Sequence, residues 1–269
     1  MQTIIVATNF SKDADNALNF AIKALKGKNY QIVLFNFFSP SIHVLNARLP
    51  ADKLDRLTFI RKEILQDMVD SISKNHEIPA IPYFATGDFI TALTSCIKLF
   101  DAKLIILGMA EKSLGQDLLG NTTTMIINKV KCPILSIPSN VSYKGITKVL
   151  FACDIDRGVH KKVLENVREF AHNFGATVDI FHVNKYSNRP TEPTKINNIL
   201  EFLSDTEATF IDVHAESVIN AIEKEIKSSD ADILIMIPYK YGFWNSIIHR
   251  SLTRKMASAS NIPLLSIQL

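Results

Sequence analysis

The sequence predicts an α/β protein made of two tandem, doubly wound domains, each built on a five-stranded parallel sheet. Apolar strand patterns alternate with helical ones along the 269 residues, which is typical of parallel sheets with right-handed crossovers. The whole pattern occurs twice, and a repeat of this length indicates a duplicated domain rather than a solenoid unit. Three pairs of matching segments define the duplication: 3–10 with 148–155, 101–108 with 230–237, and 132–137 with 262–267.

The first repeat opens on a strand, residues 3–8, that lacks polar alternation, as expected when both faces of a parallel sheet are covered. Ser11 is suited to cap the following helix, apolar residues recur at helical spacing, and Gly27 ends it. The later elements are predicted as strand 31–38, helix 52–73, strand 81–85, helix 88–100, strand 103–108, helix 122–130 and strand 133–137.

The second repeat follows the same order, with a shorter second helix. A polar turn cluster at 139–145 separates the predicted domains, 1–140 and 146–269. The strands of the second repeat are predicted at 148–152, 177–183, 209–213, 233–237 and 263–267, with helices at 159–174 and about 195–204.

Composition excludes several classes of function. Hydrophobic content of 47% and charged content of 21% are globular values, and a net charge of +3 with scattered lysines argues against a nucleic-acid partner. No apolar run approaches the roughly 20 residues that span a bilayer, and the N-terminus enters a strand at once. We therefore expect a cytoplasmic protein without a membrane partner.

Catalytic and metal-binding patterns are absent from the sequence. The seven histidines and three cysteines share no metal-ligand spacing. There is neither a Gly-x-Ser-x-Gly elbow nor a Walker motif. We therefore expect no metal site and no enzyme.

A binding site is expected beyond the carboxyl ends of the strands, where the strand order reverses. Those ends carry Thr8-Asn9, residues 36–38 and Gly108, and Gly120-Asn121-Thr122 opens a later helix. Glycine at a helix start lets backbone N–H groups approach a phosphate. The alternative is that Asn121 or Thr122 is an ordinary N-cap and that Gly108 only permits a turn.

Four segments resemble the universal stress protein family in its tandem form: Ile-Ile-Val-Ala-Thr-Asn-Phe-Ser at 4–11, Ile-Leu-Gly-Met at 106–109, Leu-Leu-Gly-Asn-Thr at 118–122 and Lys-Cys-Pro-Ile-Leu-Ser-Ile-Pro at 131–138. The resemblance implies a Rossmann-type fold whose two domains form an intramolecular pseudo-dimer through their last strands, 133–137 and 263–267. It implies ATP or another adenine nucleotide as a cofactor that the protein can bind but does not require. A further homodimer and unidentified protein partners are compatible with it.

The family's nucleotide-binding members carry Gly-x-x-Gly, nine residues, then Gly-Ser or Gly-Thr, and an Asp after the first strand. Gly108 and Gly120 match the outer glycines, but Glu111 replaces the middle one, and only eight residues separate Glu111 from Gly120. Asn9 stands in place of the Asp. The resemblance thus gives the candidate cofactor-binding set, which is Thr8, Asn9, Phe37, Gly108, Glu111, Gly120, Asn121 and Thr122.

The second repeat has lost the glycine cradle. Ile237 replaces the first glycine, and Pro238 follows it. His249-Arg250-Ser251 stands where Gly120-Asn121-Thr122 stands in the first repeat. Asp154, in contrast, retains the aspartate after the first strand. Arg250 and Lys240 could hold an anion by their side chains. Alternatively, the aromatic run at 239–244 fills a collapsed pocket or covers an interface.

Three functions remain open on this reading. The preferred one is a cytoplasmic stress-response protein that binds adenine nucleotide in the first domain without robust catalysis. The second is a nucleotide-free interaction or signalling module that uses the degenerate second domain as a docking surface. A slow ATP hydrolase is the third, and the absence of an evident general base disfavours it.

Overall fold

The computed structural model describes residues 1–39, 51–109, 120–184, 191–238 and 262–268. Its contacts divide the chain into two compact units, Met1–Gly108 and Met109–Leu269. Glu111 and residues 239–261 lie outside the described residues, as do the side chains of residues 120–122. The predicted domain boundary between 140 and 146 stays a prediction.

Unit 1 is built on four parallel strands in the order β3-β2-β1-β4. Its central strands are buried and apolar, as the lack of polar alternation predicts. Pro82 lies in β3, at the edge of this order, where a missing backbone donor is tolerated. The elements are β1 Gln2–Thr8, α1 Lys12–Leu25, β2 Tyr30–Phe37, α2 Ala51–His76, β3 Ala80–Ala85, α3 Phe89–Phe100 and β4 Leu104–Met109.

Unit 2 has six strands in the order β5-β10-β9-β6-β7-β8. All described pairings are parallel except that of β10 with β5, in which Leu265 faces Leu135. This confirms the expected pairing of the last strands of the two repeats. The elements are α4 Gly120–Lys129, β5 Ile134–Pro138, β6 Lys148–Ala152, α5 Lys161–Phe174, β7 Thr177–Asn184, α6 Pro193–Phe202, β8 Ala208–His214, α7 Val218–Ser229, β9 Ile233–Met236 and β10 Leu264–Ser266.

The corresponding helices α3 and α7 display the duplication most directly. Each has 12 residues and begins after a side-chain N-cap, Asp88 or Ser217, that accepts a hydrogen bond from the backbone N–H three residues on. Each is followed by an aspartate in the left-handed conformation, Asp101 or Asp230. The two repeats therefore share the capping pattern of this helix as well as their strand order.

Three helix starts differ from the sequence prediction by two residues, and that of α6 is Pro193 rather than about 195. Helix α5 begins at Lys161 rather than 159, because Gly158 adopts φ 80° in the preceding loop and the side chain of His160 caps the helix. Helix α4 begins at Gly120 rather than at 122. No helix in the described part of the chain is long and apolar enough to cross a membrane.

Candidate functional site

The strand order of the first repeat reverses between β1 and β4. The chain passes from β1 through β2 to β3 on one side and then returns to β4 on the other side of β1. The carboxyl ends of β1 and β4 therefore mark a topological switch point, which is where ligands bind in open parallel sheets. Thr8, Asn9 and Gly108 are at these two ends, and Phe37 ends the adjacent strand β2.

Three successive side-chain hydrogen bonds shape the turn from β1 into α1. Thr8 Oγ1 accepts from Phe10 N at 3.0 Å, Asn9 Oδ1 from Ser11 N at 3.1 Å, and Ser11 Oγ from Ala14 N at 3.3 Å. Between them, Phe10 adopts φ 65°, which is uncommon for a bulky residue. One lone pair of Asn9 Oδ1 is thus used by the turn, and the exposed Nδ2 donor is what Asn9 can offer a ligand.

Asn36 is a residue of this edge that sequence reasoning left out of the candidate set. It is fully buried, it lies opposite Thr8 in the β1–β2 register, and its Nδ2 donates to the Thr8 carbonyl at 2.8 Å. Its Oδ1 is buried and has no hydrogen-bond partner in the part of the chain that the structure describes. The signal that could have revealed it is a lone amide in the apolar strand Tyr30–Phe37.

Phe37 and Arg61 lie on the aromatic flank of the same edge. The Phe37 ring contacts the Phe89 ring edge to face, with centroids 5.1 Å apart. The Arg61 guanidinium lies 5.5 Å from the ring centroid of Phe10 and 4.7 Å from that of Phe38, both within cation–π range. Arg61 thus brings a positive charge to the edge, from a helix position that no sequence motif marks.

Gly108 has a packing requirement of its own. A Cβ atom built there would overlap the carbonyl group of Asp13 and lie 2.9 Å from Ala14 N, in the first turn of α1. The end of β4 therefore passes directly against the start of α1, and only glycine fits. Gly108 is not in a positive-φ turn, so neither the phosphate cradle nor the permissive turn is needed to explain it.

The second part of the predicted site belongs to unit 2. Helix α4 begins at Gly120, so Gly120, Asn121 and Thr122 form its first turn, where N–H groups lack intrahelical partners. The helix therefore begins at the last glycine of the motif itself, two residues before the predicted start.

The corresponding edge of the second repeat has a buried isoleucine and an ion pair at the two positions that matter in the first. Its order reverses between β6 and β9, and Ile237, in the position of Gly108, is fully buried. The helix after β6 begins seven positions after Asp154, whereas α1 begins three positions after Asn9. In that longer loop Asp154 Oδ2 pairs with Arg157 Nε at 3.1 Å. The carboxylate of Asp154 is therefore already paired with an arginine of the same loop.

Among the described residues, reactive groups do not gather at either edge. The described residues contain no group of three or more His, Cys, Asp or Glu that could hold a metal ion. Burial raises the pKa of the Cys96 thiol to about 12, and burial together with the charge of Asp154 raises the pKa of Cys153. These thiols are protonated near neutral pH and are poor nucleophiles.

Residues 1–138, more than half of the chain, match the universal stress protein family. The chain belongs to this family, as the motifs of its first repeat indicate. None of the curated proteins compared with the chain matches it.

Solved structures reproduce the fold over the whole length. A universal stress protein from Archaeoglobus fulgidus DSM 4304 is 16% identical, with a TM-score of 0.75, and the alignment covers 99% of this chain and 98% of that one. A functionally unknown protein from Pseudomonas aeruginosa PAO1 is 11% identical, with a TM-score of 0.60, covering 100% and 92%. At these identities the likeness establishes the tandem α/β fold alone.

Proposed function

We propose that this universal stress protein binds an adenine nucleotide, such as ATP, through its first repeat and acts in the cytoplasm without robust catalysis. The observation that carries the proposal is that the first repeat keeps Gly120, the last glycine of the family motif, at the start of α4, where the second repeat has His249. Gly108 is at the β4 end beside the topological switch, and Gly120 opens α4. The second repeat has a buried isoleucine in place of the first of these glycines.

The described side chains give the nucleotide defined partners. Asn9 Nδ2 is an exposed donor beside the switch point and suits a base or ribose oxygen or nitrogen. Arg61 adds a positive charge on the same flank. Following the family motif, the N–H groups at the start of α4 suit the phosphates, because the helix dipole favours an anion there.

A second function is favoured by the changes at the matching edge of the second repeat. Ile237 is fully buried and Asp154 is paired with Arg157, so among the described residues this edge offers neither the motif glycine nor an unpaired carboxylate at the acidic position. It therefore suits an interaction module in which the second repeat docks a protein partner. The intramolecular pseudo-dimer, and a homodimer built on it, belong to this proposal.

Calorimetry with ATP separates the two functions. Gly120→Val places a branched side chain where backbone must approach phosphate, so we expect binding to be lost. The matched control is His249→Val, which changes the corresponding position of the second repeat and should leave the affinity unchanged. Mass spectrometry of protein purified without added ligand should detect co-purified adenine nucleotide.

Two results would overturn the nucleotide proposal. Unchanged ATP affinity in Gly120→Val would remove the site, and loss of binding in His249→Val alone would move it to the second repeat. If ATP does not bind the wild-type chain at all, the interaction module becomes the better function. Phosphate release above the buffer control would argue for the hydrolase instead.

A further inference from the structure

His182 is a buried imidazole in the position that Asn36 occupies in the first repeat. The β6–β7 register pairs Ala152 with Phe181, so that His182 lies beside Cys153 as Asn36 lies beside Thr8. Asn36 Nδ2 is 2.8 Å from the Thr8 carbonyl oxygen, and His182 Nδ1 is 3.2 Å from that of Cys153. The two repeats therefore make the same strand-end contact with different side chains, and only the imidazole can gain a charge near neutral pH.

The His182 Nδ1 atom lies between a hydrogen-bond donor and an acceptor. Ile155 N is 3.3 Å away and the Cys153 carbonyl oxygen 3.2 Å away. A neutral imidazole carries one N–H. With the proton on Nε2, Nδ1 accepts from Ile155; with the proton on Nδ1, it donates to Cys153 and the Ile155 amide loses its acceptor. Neither neutral form can serve both backbone groups.

The His182 Nε2 atom is buried without a hydrogen bond to any residue that the structure describes. The carboxylate oxygen Asp156 Oδ2 is 3.7 Å from it, too long for a hydrogen bond but within ion-pair distance. The His182 side chain is 3% exposed and that of Asp156 58%, so Asp156 is free to approach from the loop between β6 and α5. A shift of roughly 1 Å would create a charge-assisted hydrogen bond.

We propose that His182 is a proton switch for the β6–α5 loop. When the imidazole takes one proton from solvent, Nδ1–H donates to the Cys153 carbonyl, Ile155 N–H is released, and Nε2–H draws in the Asp156 carboxylate. When the proton leaves, Ile155 N–H returns to Nδ1 and Asp156 moves back to solvent. The loop concerned stands at the switch point of the second repeat, so protonation remodels that edge alone.

The other charged groups on the described elements beside the ring are engaged elsewhere. In the loop Asp154 pairs with Arg157. On β8, Asp212 is the register partner of His182 and accepts a hydrogen bond from Thr191 at 2.8 Å. The thiol of Cys153 stays protonated because burial raises its pKa. On the helices beside these strands, the described ion pairs are Lys161–Glu165, Arg168–Asp205 and Lys195–Glu192. Asp156 is therefore the carboxylate that responds.

Nuclear magnetic resonance of the full chain tests the switch directly. The measurement runs from pH 8 to pH 5. Over that interval, with EDTA present to exclude metal, we expect the Ile155 amide and the His182 ring nitrogens to shift in one common transition. His182→Asn should fold, because Asn36 fits the same position, and should abolish the Ile155 transition. Asp156→Asn should keep ring protonation but weaken the loop response.

Two further variants are designed by comparison with the first repeat. His160, the N-cap of α5, also accepts through its Nδ1, from Lys162 N at 3.3 Å. His160→Ser copies the Ser11 cap of α1 and should leave the Ile155 transition intact. Asn36→His should introduce a new transition at Phe10, the counterpart of Ile155.

The switch is overturned by an Ile155 transition that persists unchanged in His182→Asn, or that disappears in His160→Ser. If His182→Asn does not fold, the wild-type ring signals decide the matter. A single unchanged protonation state of His182 from pH 8 to pH 5 would refute the proposal.

Discussion

Gly108 is required by the packing of the fold, independently of any ligand. The first turn of α1 occupies the space that a side chain at 108 would need. In the second repeat the helix begins four positions later relative to the strand end, and the buried Ile237 stands in the position of Gly108. A glycine in the family motif therefore has a packing cause that is separable from phosphate binding.

Gly108→Ala should reduce the free energy of unfolding by about 3 kcal/mol, because the new methyl group meets the backbone of Asp13, which cannot rotate away as a side chain could. Urea unfolding measures the loss. Gly27→Ala is the comparison: it has open space but φ 74°, so only a backbone cost of about 1 kcal/mol is expected. Equal losses in the two variants would contradict the close approach.

A second prediction for a single residue concerns the charge of Glu111. If its carboxylate opposes the phosphates, Glu111→Gly should tighten ATP binding by about 1 kcal/mol, roughly fivefold in Kd. Calorimetry at two salt concentrations would show the difference shrinking as salt screens the charge. Weaker binding in the variant would mean that Glu111 assists, for example by holding a metal ion.

At the scale of elements, the two repeats fill the space beside their outer strands differently. In the first repeat aromatic rings pack together, with Phe35–Tyr83, Phe35–Phe89 and Tyr83–Phe100 centroids 5.8, 6.1 and 6.0 Å apart. Counted from the shared caps, the second repeat has Val218 and Ser229 in the positions of Phe89 and Phe100. Beside Phe181, the counterpart of Phe35, it has a cavity of about 520 Å³. The aromatic layer is thus a property of the first repeat.

Phe89→Ala should therefore destabilise the protein by about 2 kcal/mol, since a half-buried ring with two aromatic neighbours is removed. Leu99→Ala on the same helix is the control, because Leu99 is 68% exposed and should change stability by less than about 0.5 kcal/mol. Thermal unfolding followed by circular dichroism compares them. A Phe89 variant as stable as the Leu99 variant would show that the rings contribute little.

The elements themselves were largely predictable from sequence, because strands covered on both faces read as unbroken apolar runs. Predicted and observed strands agree to within a residue or two, and the start of α5 was misplaced because Gly158 and the cap at His160 delay it. The site was less predictable. Asn36 acts across a strand register 28 positions from its partner, and Arg61 reaches the edge through ring contacts. Such roles depend on tertiary neighbours, which a local pattern does not specify.

At the scale of the whole molecule, duplication has allowed the repeats to specialise. The first keeps the two glycines and an uncharged amide at its strand end, whereas the second has a buried isoleucine and an imidazole there. The two repeats nevertheless share their strand order and the caps of α3 and α7, so these differences lie in a few residues at the strand ends. We therefore expect the properties of the two edges to be separable by mutation.

The pairing of β10 has a consequence for how the protein behaves on dilution. This strand is hydrogen-bonded on both sides, to β9 within its own repeat and to β5 of the other. Two separate chains that shared such a pairing would dissociate as their concentration fell. Here both strands belong to one polypeptide, so each meets its partner at a local concentration fixed by the connecting chain. The backbone groups of β10 therefore keep their hydrogen-bond partners within a single molecule, even at low protein concentration.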